Sequence, residues 1–251
     1  MTGTGLHSTD PILAIDAGNT RIKWGVHRDG RFAATRAMPT REAEALSLAW
    51  QGEMPAARAI ASNVAGPQVR EALEKACARN GIPLEVIGSP AEQLGVRNGY
   101  REPAQLGTDR WVALLAAHGE AAQNQLVVNA GTALTIDALA GDGRFLGGLI
   151  VPGPALMRRS LDRGTAELRL TEGEYSDFPR ATPDAITSGA IHACAGAVER
   201  MAAVMARQGV EPARIVLSGG AAAELAPHLP IEVAIRENLV LDGLVLVARA
   251  S

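Results

Sequence analysis

Two stretches of the chain share one pattern of apolar and polar positions. The apolar run Ile12-Leu13-Ala14-Ile15 enters a polar bend, Asp16-Ala17-Gly18-Asn19-Thr20, and leaves it with Ile22, Trp24 and Val26 at alternate positions. A continuous run into a glycine-bearing bend, followed by alternation, predicts a β-hairpin whose second strand is half-buried. Leu126-Val127-Val128 likewise enters Asn129-Ala130-Gly131-Thr132 and continues through Ala133, Leu134, Thr135, Ile136 and Asp137. Arg31 to Ala37 and Phe145 to Val151 read as third strands, each followed by a helix. The repetition predicts a duplicated domain, since two copies are too few for a repeat array.

Between the copies the pattern predicts a helix over 41–50, a strand over 59–62, a helix from Pro67 to Asn80 closed by Gly81, and a strand over 84–87. Proline in the first turn and glycine just past the end are the expected helix punctuation. The first half thus reads βββαβαβ, a mixed sheet carrying helices. Residues 91–106 lack periodicity and read as a loop. Gly107-Thr108-Asp109-Arg110-Trp111 leads into a helix to Gln123, with Thr108 as the expected N-cap and Asp109 favoured by the helix dipole. His118 on that helix is expected at the surface or satisfied. After the third strand of the second copy come Gly153-Pro154 and a helix whose Arg158 and Arg159 are expected to be solvated. A loop or lid is expected over 163–177, then a long small-residue helix from Thr182, its expected N-cap, to Gln208. Gly189 and Gly196 inside it suggest close packing against a neighbour. A strand over 215–217 ends in Ser218-Gly219-Gly220, a helix starts at Ala221, and a last helix, 237–248, is expected near the domain junction. The domain division expected is a mobile tail over 1–11, a first domain over 12–124 and a second over 125–251.

Composition narrows the class. The 251 residues are 47% hydrophobic but only 3% aromatic, so the core must be built from Ala, Val, Leu and Ile. The net charge, 24 − 27 = −3, supplies no general polyanion-binding surface, which argues against nucleic acid as a partner. Cys77 and Cys194 show no CxxC or Cys/His spacing, which suits a reducing cytoplasm and excludes a structural zinc motif. The polar start lacks a signal-peptide pattern, and no apolar run reaches membrane-spanning length, so no membrane association is expected.

The chemistry on offer sits in the bends. Gly18 admits close backbone approach, Asn19 and Thr20 offer donors for phosphate oxygens, and Lys23 adds positive charge. Asp16, at the end of a buried strand, is placed to hold a hydrated Mg²⁺ accompanying a polyphosphate. Asp, Gly and Asn are also common turn formers for conformational reasons alone. The Gly219-Gly220 pair admits a ring or phosphate, or merely a tight turn.

Duplicated βββαβαβ halves with glycine hairpins resemble the acetate and sugar kinase, Hsp70 and actin superfamily, an α/β fold of two duplicated ribonuclease H-like domains with ATP in the cleft between them. Within it, DAGNTRIKWGV, GTDRW, NAGTALTID and GGLIVPG resemble the type III pantothenate kinases, the Bvg accessory factor family, over Ile12 to Ala248. The resemblance implies ATP-dependent phosphorylation of pantothenate, the first step towards coenzyme A, by a cytoplasmic homodimer. It places the nucleotide loop on Asp16, Ala17, Gly18, Asn19, Thr20, Arg21, Ile22 and Lys23, with Asp16 at the Mg²⁺. It places further ATP contacts on Gly131 and Thr132, and the pantothenate site on Tyr100, Gly107, Thr108, Asp109, Arg110 and Thr182, with Asp109 as the general base. One departure concerns a K⁺ or NH₄⁺ site: where the family commonly has an aspartate, this chain has Asn129. Two alternatives keep both hairpins: a related small-molecule kinase of the superfamily, and a regulator that binds ligand without turnover.

Overall fold

A computed structural model describes residues 10–50, 56–164 and 173–251. All but the end of the expected N-terminal tail, and most of the expected lid over 163–177, lie outside the described residues. The first half runs β1 (Ile12–Ala17), β2 (Arg21–Arg28), β3 (Arg31–Pro39), α1 (Leu46–Ala49), β4 (Arg58–Asn63), α2 (Pro67–Arg79) and β5 (Leu84–Val86). Two-residue strands β6 (Glu92–Gln93) and β7 (Val96–Arg97) precede α3 (Thr108–Glu120). The second half runs β8 (Gln125–Ala130), β9 (Ala133–Leu139), β10 (Phe145–Pro152), α4 (Pro154–Gly164), α5 (Thr182–Arg207), β11 (Arg214–Ser218), α6 (Ala222–Leu225), β12 (Val233–Ile235) and α7 (Leu239–Ala250).

The chain forms two compact units. One takes the chain to Leu94, Tyr100–Ala116 and Leu239–Ser251; the other takes Gly95–Gly99 and Ala117–Asn238. Each contains a five-stranded mixed sheet of the same order, β3-β2-β1-β4-β5 in the first and β10-β9-β8-β11-β12 in the second. In both, the hairpin strands are antiparallel and the crossover strands parallel. The duplication legible in the sequence is therefore a duplication of topology.

In the first unit, Leu13, Ile15 and Ala17 of β1, Ile22 and Trp24 of β2, and Ala59 and Ala61 of β4 share one face. They pack on Leu46 and Trp50 around α1 and on Val69, Leu73 and Ala76 of α2. Burying a leucine of this kind is worth about 1.5–3 kcal/mol, and Leu13, Leu46 and Leu73 are all fully buried. α7 covers the opposite face of β1 and β4. Gly243 of α7 packs so closely on α3 that a Cβ there would collide with the Val112 carbonyl. In the second unit, Leu126, Val128, Leu134, Ile136, Ile215 and Leu217 pack on Cys194, Val198 and Met205 of α5.

Several expectations need correction. The helix over 41–50 is a 3₁₀ turn, Thr40–Ala45, followed by the single α-turn α1. Thr40 is tethered at both its N–H and its hydroxyl, so the chain leaves β3 too tightly for a regular α-helical entry. The loop over 91–106 contains β6, β7 and a 3₁₀ turn, Pro103–Gln105. β12 was not expected: its three residues are at most half-buried and form no continuous buried run into a turn. Neither threonine caps as expected. Thr108 and Thr182 are first helical residues; Ala181 precedes the latter, with no side-chain cap, and the Gly107 carbonyl accepts from Trp111 N–H at 3.0 Å. Arg159 is exposed as expected, whereas Arg158 is only partly so and bonds Glu224 of α6 at 2.6 Å. His118 is half-buried, and its Nδ1 is buried without a partner.

Both cysteines are free and buried, with burial pushing each thiol up to about 11, so neither is a nucleophile near neutral pH. No helix among the described residues is long and apolar enough to cross a membrane.

Candidate active site

The bend between β1 and β2 is Gly18-Asn19-Thr20, closed by Gly18 N–H to the Arg21 carbonyl at 3.1 Å. The bend between β8 and β9 is one residue shorter, Gly131-Thr132, closed by Gly131 N–H to the Ala133 carbonyl at 3.0 Å. Each is anchored by the residue that follows a proline at the end of the third strand. Thr40 N–H donates to the Thr20 carbonyl at 3.0 Å, and Gly153 N–H to the Thr132 carbonyl at 2.9 Å. The Thr40 hydroxyl adds a bond of 2.7 Å to the Gly18 carbonyl. At Gly153 any Cβ would run into the Gly131 carbonyl, so a glycine is required there. Asn19, Thr20, Arg21 and Thr132 are exposed on these bends, as phosphate donors must be, whereas Ala17 and Ile22 point into the core and can offer only backbone.

Strand alternation puts Asp16 on the face opposite that core. Its register partners are Lys23 on β2 and Ser62 on β4. Ser62 bonds the hydroxyl of Thr108 at 2.8 Å, which ties the start of α3 to the same face and brings Asp109 within electrostatic reach of Asp16. Asp16 Oδ1 is buried without a hydrogen-bond partner. Burial, then the Asp109 charge, pushes its pKa from 3.8 to about 7, against an opposing pull from Lys23. Burial also raises Asp109, while the Arg110 N–H bond to its Oδ1 at 2.8 Å and the Arg110 charge hold it down. A Cβ at Gly107 would come within 2.6 Å of Asp109 Oδ1, so the glycine before Thr108 makes room for this carboxylate.

Arg110 is 5% exposed. Its Nη1 donates to Tyr100 Oη at 2.8 Å, and the guanidinium lies 5.7 Å from the Tyr100 ring centroid. A buried guanidinium held by an aromatic hydroxyl is a pre-oriented partner for a carboxylate. Asp16, Tyr100, Gly107, Thr108, Asp109 and Arg110 thus all belong to the first unit. Ser62 carried no sequence signal, because a serine in a short strand announces nothing. Thr40 was detectable only as the counterpart of Gly153.

In the second unit, Asn129 has Thr135 and Ser218 as register partners, the counterparts of Lys23 and Ser62. Gly219 (φ +100°) lies against it: a Cβ there would come within 2.6 Å of Asn129 Oδ1. Thr182 lines a cleft of about 480 Å³ between α4 and α5, with Met157, Ser160, Leu161, Ala185 and Ile186.

The profile of the type III pantothenate kinases matches residues 12–204. The chain belongs to that family. A type III pantothenate kinase of Nitrosospira multiformis is 44% identical over 239 residues, covering 95% of this chain and 91% of that protein. One of Aromatoleum aromaticum is 48% identical over 238 residues, covering 95% and 98%. Among solved structures, a Baf family protein from Campylobacter jejuni superposes with a TM-score of 0.61 at 18% identity, covering 95% of this chain and 98% of its own. A ROK family glucokinase from Streptomyces griseus, solved with glucose and AMPPNP, gives 0.54 at 14% identity, covering 96% and 100%. At such identities the likeness is one of fold: two duplicated ribonuclease H-like domains of the sugar-kinase type. The kinase family and its fold are those the sequence motifs implied.

Proposed function

We infer that this chain catalyses transfer of the γ-phosphoryl group of ATP to the primary hydroxyl of pantothenate, giving 4′-phosphopantothenate and ADP. The supporting observation is that, in a chain of this family, the start of α3 with Thr108 and Asp109 is tied to the face of the first sheet that carries Asp16, Lys23 and Ser62. Phosphoryl transfer needs in-line placement, neutralised phosphate charge and a destination for the hydroxyl proton. Asp109 is the destination: the pantothenate oxygen bonds to the γ-phosphorus, the bond to the β,γ-bridging oxygen breaks, and the proton passes to Asp109. A carboxylate raised by burial is a stronger base near neutral pH than an ordinary aspartate. Arg110, held by Tyr100, pairs with the pantothenate carboxylate.

The donor set fits Mg²⁺ travelling with ATP. Asp16 supplies a buried oxygen without a partner, and no cluster of three or more His, Cys, Asp or Glu gathers among the described residues. That is the pattern for an ion that keeps its waters and its phosphates and needs one or two protein carboxylates. When bound, the ion neutralises phosphate charge and holds Asp16 ionised. The amides and hydroxyls of Gly18-Asn19-Thr20 cradle phosphate oxygens, and Gly131-Thr132 is a second bend with donors of the same kind. Asn129 keeps an oxygen but lacks the charge of an aspartate, so dependence on K⁺ or NH₄⁺ is weak or absent.

The chain works as a homodimer through α5. Gly189, Ala193 and Gly196 are exposed along one line, and a Cβ at either glycine would meet open space. The close packing that these glycines suggest therefore has no partner within the described residues. Ala190 is buried within its own chain, and Ala197 packs on the core, so neither belongs to that line. A coupled assay of the purified chain with ATP, Mg²⁺ and pantothenate tests the activity. ADP release that depends on pantothenate is expected; release dependent only on a sugar or acyl acceptor, or no turnover, would reject it.

A further inference from the structure

Ser62 is fully buried on β4, and its hydroxyl has a single partner among the described residues, Thr108 Oγ1 at 2.8 Å. Thr108 is half-exposed at the start of α3, and that hydroxyl bonds nothing else among the described residues. We propose that Ser62 is a positioning residue for the acceptor substrate: it donates its proton to Thr108 and so fixes the Thr108 hydroxyl as a hydrogen-bond donor to a substrate oxygen.

The direction of the bond follows from burial. A serine hydroxyl carries one proton, and leaving a buried O–H unpaired is costlier than leaving a lone pair unused. Sealed from water, Ser62 has only the Thr108 oxygen to donate to. Thr108 has an exposed side and can direct its own proton outward. With its oxygen accepting from Ser62, it meets a ligand as a donor. The neighbouring acceptors do not compete: the Gly107 carbonyl accepts from Trp111 N–H, and Asp109 Oδ1 accepts from Arg110 N–H. Nor does Ser62 spend its proton on its register neighbour Asp16, whose Oδ1 stays unpartnered. One buried serine thereby orders the donor beside Asp109 and leaves Asp16 free for a cation. The site consequently selects a substrate that presents an acceptor oxygen at Thr108.

This inference rests on the pantothenate kinase reading and is tested in the full chain. Ser62→Ala and Thr108→Val, which is nearly isosteric, should each raise KM for pantothenate about 3–10-fold, the scale of one net hydrogen bond. KM for ATP should stay within about twofold, and Thr108→Ser, which keeps the hydroxyl, should raise the pantothenate KM less than Thr108→Val does. The double variant Ser62→Ala/Thr108→Val should be no worse than Thr108→Val alone, because the two groups act in series. Equal rises in both KM values, or multiplicative losses in the double variant, would reduce Ser62 to a structural role and overturn the proposal. An unchanged pantothenate KM in a folded Ser62→Ala protein would do the same. Should Ser62→Ala fail to fold, Thr108→Val against Thr108→Ser decides, and equal pantothenate KM values for that pair overturn the inference. Absence of pantothenate turnover in the wild type would instead overturn the kinase reading beneath it.

Discussion

Asp16→Asn should make the ligand-free protein more stable at alkaline pH while disabling it. In the wild type the carboxyl is pushed from 3.8 to about 7, first by burial and then by Asp109. A folded-state pKa above the unfolded value means that the fold favours the protonated form. The associated stability is complete below about pH 4 and is lost as pH rises through about 7. At ~1.4 kcal/mol per pH unit the displacement is worth ~4 kcal/mol, of which about 3 kcal/mol disappears between pH 5 and pH 8.5. In a chain of this size 1 kcal/mol moves the melting temperature by about 2–4 °C. The wild type should therefore lose about 6–12 °C relative to Asp16→Asn over that range. Groups that do not couple to Asp16 cancel in the difference, and the couplings to Asp109 and Lys23 are already contained in its raised value. Saturating Mg²⁺ and ATP should recover the loss in the wild type, since the bound cation stabilises the ionised carboxylate, and should give the variant only a shift that does not grow with pH. Thermal melts at several pH values, with and without Mg²⁺ and ATP, read this directly, and turnover should fall with part of the loss restored by excess Mg²⁺. Parallel melting profiles for the two proteins, or an unchanged metal dependence of turnover, would refute the reasoning.

Asp109→Asn keeps the side-chain oxygen that accepts the Arg110 N–H but removes the base, so kcat should drop by about 10²–10⁴ with KM for ATP nearly constant. Steady-state kinetics check this, and a variant within a few-fold of wild type would reject the base assignment. Asn129→Asp should introduce activation by K⁺ or NH₄⁺, because the added charge is worth about tenfold or more in cation affinity even after most of the attraction is offset by dehydration. The measurement is turnover with K⁺ replaced by a bulky organic cation at constant ionic strength; strong K⁺ dependence in the wild type would show that Asn129 is a neutral replacement. Ala193→Leu should overfill the exposed line on α5 at a cost of about 1–3 kcal/mol for each crowded site. Sedimentation velocity should show the dimer weakened, and a fully active wild-type monomer at assay concentration would sink the dimer.

The sequence by itself determined the duplicated hairpins, the βββαβαβ succession of the first half and the kinase family. These features are local: a run of four apolar residues, a bend of fixed composition and a period of two are written in consecutive positions. It also placed Asp16 and Asp109, because their motifs are contiguous. What those carboxylates can do was decided only in the tertiary structure. Asp16 and Asp109 are 93 positions apart, and their mutual repulsion and shared burial arise from a parallel pairing of β1 with β4 and from one serine on β4 that holds the start of α3. Thr108 and Thr182 looked like N-caps by residue type, yet neither caps: each is already the first helical residue, and the Thr108 hydroxyl meets Ser62 instead. Gly189 and Gly196 suggested close packing against a neighbour, and among the described residues a Cβ at either would meet open space, because a small residue permits a close neighbour without supplying one. Local pattern fixes the long, strongly periodic elements; the short ones, and the burial, pairing and direction of each polar side chain, depend on residues distant in sequence, and only folding brings those together.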